Sequence, residues 1–165
     1  MKTKFTKILV PAFLLIVTGL FAYSFFYLPT GFTGTTKKGG TGTGCDCHRD
    51  TATTWVSVFL QGPDSVAAGQ TVTYKIFASH GPAVIGGFNV ASFRAGLEDT
   101  ITLAPVPGDT MVRKQDGELT HTQPKQYAND SVFWTFTYKA SNTLGWDTLY
   151  ATSNSANGNG NFEGD

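Results

Sequence analysis

The sequence predicts an all-β protein, an antiparallel Ig-like or Reelin-like β-sandwich following an N-terminal signal or membrane helix. Three observations carry this. Apolar and polar residues alternate with a period of two in run after run, β-branched and aromatic residues fill those runs, and turn-forming dipeptides separate them. No stretch beyond residue 40 keeps the 3.6-residue period of a helix.

The leader comes first. Lys2, Lys4 and Lys7 precede Ile8 to Leu28, which contain no charge. Ala22-Tyr23-Ser24 places small residues at the positions a signal peptidase reads, which predicts cleavage before Phe25. The same 21-residue run is also long enough to span a bilayer at about 1.5 Å per residue. Left uncut, it would keep the N-terminus inside and join the protein to the membrane. Either fate delivers the rest of the chain outside the cytoplasm, to periplasm, outer envelope or cell surface. Residues 1–24 are therefore read as a signal peptide or uncleaved anchor.

The full chain is neutral, with 12 basic and 12 acidic residues. Without Lys2, Lys4 and Lys7, nine basic residues face twelve acidic ones, a net charge near −3. No basic stripe exists, so nucleic acid is excluded as the expected partner. Residues 25–44 are read as a flexible spacer, because Gly31 to Gly44 is dense in glycine and threonine with only Phe32 to bury. Residues 45–165 are long enough for one hydrophobic core and too short for two.

Within that domain the strand-like runs are Trp55 to Leu60, Val72 to Ala78, Gly87 to Ala95, Thr100 to Ala104, Ser131 to Ala140 and Trp146 to Thr152. Parity assigns Val72, Tyr74, Ile76, Val132, Trp134 and Phe136 to the core, and leaves Phe133 less buried than Trp134. Turn signals fall at Gly62-Pro63-Asp64, Gly69-Gln70, Gly81-Pro82, Pro107-Gly108-Asp109, Asp116-Gly117 and Asn142 to Gly145. Six or seven strands between about residues 52 and 154 follow. Asn154 to Asp165 reads as a polar loop or frayed end.

A leader, then Gly31-Phe32-Thr33-Gly34, then Cys45-Asp46-Cys47-His48, is similar to the opening of the bacterial choice-of-anchor V domain, a relative of the Reelin-type domain. The resemblance continues through Gly62-Pro63, Pro82 to Phe93, Thr120-His121-Thr122, Phe133-Trp134-Thr135 and Ala156 to Asn161 with Gly164-Asp165. It implies an exported Ig-like sandwich, often attached to an anchoring tail, with a cytochrome-like Cys-x-x-Cys-His near its start. Here the cluster is one residue shorter, and the sequence stops where the family domain usually runs into another strand.

Three chemistries compete for Cys45, Cys47 and His48. Covalent haem c in an electron-transfer role would join porphyrin through thioethers, with His48 on iron and a redox protein as partner. Cys45 and Cys47, two residues apart, point about 200° apart in a helical turn, so both reach vinyl groups only from a distorted turn. The second axial ligand would come from His121, which matches the family's Thr-His-Thr, with His80 and Met111 as other candidates. A Cys45–Cys47 disulfide fits an oxidising compartment, although so small a ring closes almost no loop. Zinc or copper held by the cluster with His80 or His121 satisfies tetrahedral donors at cramped spacing.

Other features carry less. His80 sits at a strand-end turn, and threonines on both sides of His121 suggest an exposed strand face. Asn157 to Asn161 with Glu163 and Asp165 alternates oxygen side chains but lacks the carboxylates of a calcium loop. Trp55, Trp134 and Trp146 are expected in the core rather than on a carbohydrate platform. No Gly-x-Ser-x-Gly elbow or close acid pair appears, so no enzyme is expected. The remaining alternative is a non-catalytic adhesive or structural surface domain.

Overall fold

The alternating runs resolve into nine strands in a computed structural model that describes residues 30–40, 53–94, 102–160 and 163–165. They are β1 Val56–Gln61, β2 Thr71–His80, β3 Ile85–Phe93, β4 Thr102–Pro105, β5 Val112–Gln115, β6 Glu118–His121, β7 Lys125–Gln126, β8 Ser131–Lys139 and β9 Thr148–Ala156. All pairings are antiparallel. One sheet has the order β1-β2-β8-β4; in the other, β5-β6-β3 is joined by β7 and by β9, both on β3. Among the described residues, no helix is long and apolar enough to cross a membrane. The leader at residues 1–24 and the cluster Cys45, Cys47, His48 lie outside the described residues.

Between the sheets lies the core the parity predicts. Ile76, Val132, Trp134 and Phe136 are buried beside Leu103 of the same sheet, with Phe88, Val90 and Leu119 of the other facing them. Val72 and Tyr74 are only half-buried, packed at its margin, where the Tyr74 hydroxyl donates to Pro63 O at 2.5 Å. Phe133 is 40% exposed against 1% for Trp134, as the alternation requires. The Trp134 and Phe88 rings meet at 4.8 Å and join the sheets.

Three strands of the second sheet were not expected, since Arg113, Lys114 and Glu118 break an apolar pattern. The β5–β6 hairpin turns on Asp116-Gly117, with φ of 49° and 81°. Positive φ at both central residues is what a two-residue turn matched to strand twist needs. β9 also runs further than expected. Ser155 and Ala156 are buried, and beyond them Asn157 N–H donates to Asp165 Oδ1 at 2.7 Å, closing a turn rather than fraying.

Two expectations are corrected. Trp55 and Trp146 are not core residues; they are 73% and 93% exposed. Each lies just outside a strand, Trp55 before β1 and Trp146 in the β8–β9 loop, so no sheet face carries it inward. The second correction concerns the spacer, whose described part is packed onto the fold. Gly31 and Thr36 are buried, and a short 3₁₀ turn at Lys38–Gly40 reaches the Phe93 ring.

Candidate functional site

The face of the second sheet turned away from the core carries Asn89 on β3 and Glu118 and Thr120 on β6, all buried. Polar side chains on an outer face are buried only if something covers them, and residues 31–40 do so as a strap. Glu118 anchors it: Oε2 accepts Gly34 N–H at 2.9 Å and Oε1 accepts the Thr36 hydroxyl at 2.8 Å. The Asn89 amide donates to Phe32 O and to Thr35 Oγ1. The Thr33 hydroxyl donates to Asp116, and Thr35 and Thr152 hydroxyls pair at 3.3 Å. A buried carboxylate is tolerable because these donors replace its water.

Gly31 begins the strap at closest approach. Its N–H donates to His121 O at 3.0 Å, and its carbonyl accepts from Arg113 Nη2 at 2.9 Å. A Cβ there would lie 1.7 Å from Thr120 Oγ1. Gly34 holds φ at +86°, where a side chain is strained. The Gly-Phe-Thr-Gly motif thus has a physical reason: one glycine for contact, one for the bend.

His121 lies at this junction, half-buried instead of on an exposed face. The β3–β6 ladder stops after Asn89↔Thr120. At the next position side chains replace the backbone: Phe88 N–H donates to His121 Nδ1 at 3.1 Å, and the Thr120 hydroxyl donates to Phe88 O at 3.0 Å. The ring covers Gly87, where a Cβ would stand 2.3 Å from His121 Cε1. Burial pushes the imidazole pKa below its usual value; the Phe88 carbonyl, an acceptor for a protonated ring, opposes this, and the Arg113 charge adds to the lowering. With Nδ1 accepting, the ring proton sits on Nε2. Ligating a metal through Nε2 requires the other tautomer, with Nδ1–H turned to Phe88 O, 3.4 Å away.

The other candidate ligands are not gathered around His121. His80 ends β2 in the opposite sheet, with φ at +66° and Nε2 3.8 Å from Asp130. Met111 Sδ accepts from Gln123 Nε2 at 3.2 Å. Among the described residues, no three His, Cys, Asp or Glu side chains form a group able to hold a metal ion. The residues the sequence did not single out are Asn89, Arg113 and Glu118. Asn89 carried a signal, as a polar residue inside the uncharged run of β3, whereas Arg113 and Glu118 lie in strands whose charges hid them.

No protein-family model matches this chain, and no curated protein matches it. Among solved structures it is similar to the Reelin-N domain of F-spondin, at 18% identity over 59% of this chain and 70% of that one, with a TM-score of 0.42.

Proposed function

We propose that this chain is an exported, non-catalytic β-sandwich module of the cell envelope, serving as an adhesive or structural domain of the choice-of-anchor V kind, with Cys45 and Cys47 joined as a disulfide. The observation that carries this reading is the engagement of His121. Its imidazole acts as a backbone substitute, taking the Phe88 N–H where the ladder breaks, and so has a structural task that needs no metal. The leader and the oxidising compartment it implies support the disulfide.

A second reading is kept because one observation favours it. The strap packs on the sandwich as far as Gly39, against the Phe93 ring, and the chain is part of a sheet again from Val56 in β1. A cofactor site needs a scaffold to hold it, and these two attachments would supply one. In that reading Cys45 and Cys47 bond haem c, His48 ligates iron, and His121 in its other tautomer is the far ligand. The bound group would supply a one-electron couple for a redox protein partner.

Expression of the full chain with a covalent-haem assembly system separates the two. An unstained band on a haem-stained denaturing gel, with an intact mass two hydrogens below the reduced chain, is the expected result. A stained band overturns the first reading and shows the covalent attachment on which the second rests.

A further inference from the structure

Sheet edges with unpaired N–H and C=O groups recruit other strands unless they are blunted. Among the described residues, three of the four longer outer strands are blunted. β4 is four residues long and ends in Pro105. β5 carries Arg113 and Lys114. β9 is half-buried or buried over all but its first residue. β1 has no such device. Its sequence, VSVFLQ, has neither charge nor proline, and Val58 and Phe59 are 37% and 52% exposed. Among the described residues, no strand pairs with its outer edge.

From this edge we infer that β1 pairs antiparallel with β1 of a second copy, about a two-fold axis beside Phe59, joining two four-stranded sheets into one of eight. The occupant follows from self-complementarity. Phe59, Phe77 and Phe133 lie in register across β1, β2 and β8, with Phe59 and Phe77 at 4.8 Å and parallel to within 4°. That spacing is the distance between neighbouring strands, about 4.8 Å. A second Phe59 across the axis continues the row into six rings.

In the same register Val58 meets Leu60 of the second copy on the core side, which covers its exposed surface. Beyond the strand ends, Trp55 of one copy faces Pro63 of the other, both exposed here. Trp55 to Pro63 contains no charged residue, so the axis brings no like charges together. Lys75 and Lys125 lie over Phe133 at the far end of the row. A partner peptide of unrelated sequence would have to supply each of these matches separately. An isologous pair supplies them by symmetry.

Edge pairing over about six residues buries less than a standard interface, so the association should be reversible and concentration-dependent. Sedimentation equilibrium of the exported chain across the micromolar range should show a monomer–dimer equilibrium. Phe59→Lys should weaken it at least ~tenfold, while Trp146→Lys, which removes a still more exposed aromatic elsewhere, should leave it unchanged. Should Phe59→Lys fail to fold, Phe59→Cys in a chain with Cys45 and Cys47 changed to serine supplies the answer. Oxidation should trap it as a covalent dimer, and Leu144→Cys should not be trapped. The inference is overturned by a chain that stays monomeric at every concentration, by a dimer broken by Trp146→Lys and not by Phe59→Lys, or by β1 capturing an unrelated extended peptide while ignoring its own copy.

Discussion

At the residue scale, a ring nitrogen stands in for a backbone carbonyl, and this ties His121 to pH. Burial lowers the folded-state pKa, whereas the unfolded chain titrates near the ordinary value of about 6.5. Above that value both states are neutral and stability is full. As pH falls below it the unfolded chain takes up protons first, so stability declines until the folded pKa is passed. In the haem-free chain, urea midpoints should therefore drop from pH 7.5 to pH 5, and His121→Gln should flatten this dependence. A wild-type midpoint that rises over the same range would contradict the assignment. Gly87 belongs to the same arrangement. Gly87→Ala should expel the ring, leave Phe88 N–H unpaired and cost ~1–3 kcal/mol, measurable by urea unfolding.

At the element scale, the strap shows where sequence reading succeeded and where it did not. All six strand-like runs appear as strands, because period-2 alternation records burial on one face. The β5–β6 hairpin was legible only as its Asp116-Gly117 turn, since both its strands carry charge. The strap was read as a spacer because glycine and threonine offer nothing to a hydrophobic core; it packs through hydrogen bonds, which leave no periodicity. Its anchor, Glu118, is 82 residues or more from the strap residues it binds, a distance no local pattern spans. The Cys45, Cys47 and His48 site remains a sequence-based proposal. Glu118→Ala should free the strap, since it strands Gly34 N–H and the Thr36 hydroxyl, at a cost of ~2–4 kcal/mol. Trypsin should then cut after Lys37 and Lys38 faster than in the parent chain. Equal rates would show that the strap is held by something else.

At the scale of the whole molecule, one strand divides two tasks by parity. On β8, Trp134 and Phe136 face the core, while Phe133 stacks outward on Phe77 at 5.4 Å beneath Lys75 and Lys125. The sandwich depends on the inward set, because Trp134 bridges to Phe88 and so holds one sheet against the other. Trp134→Ala should cost ~3–5 kcal/mol, the lost transfer energy plus the cavity left between sheets. Domains of this size have ~5–15 kcal/mol in total, so that variant should be close to unfolding at moderate temperature. Phe133→Ala loses ring stacking and a partly exposed surface, which is worth about 1 kcal/mol. The two substitutions are adjacent in sequence and remove similar aromatic bulk, so their difference isolates facing from chemistry. Urea titrations of both should give similar slopes and well-separated midpoints. If Phe133→Ala proves as damaging as Trp134→Ala, the face assignment of β8, and with it the register of β2 and β4, would have to be redrawn.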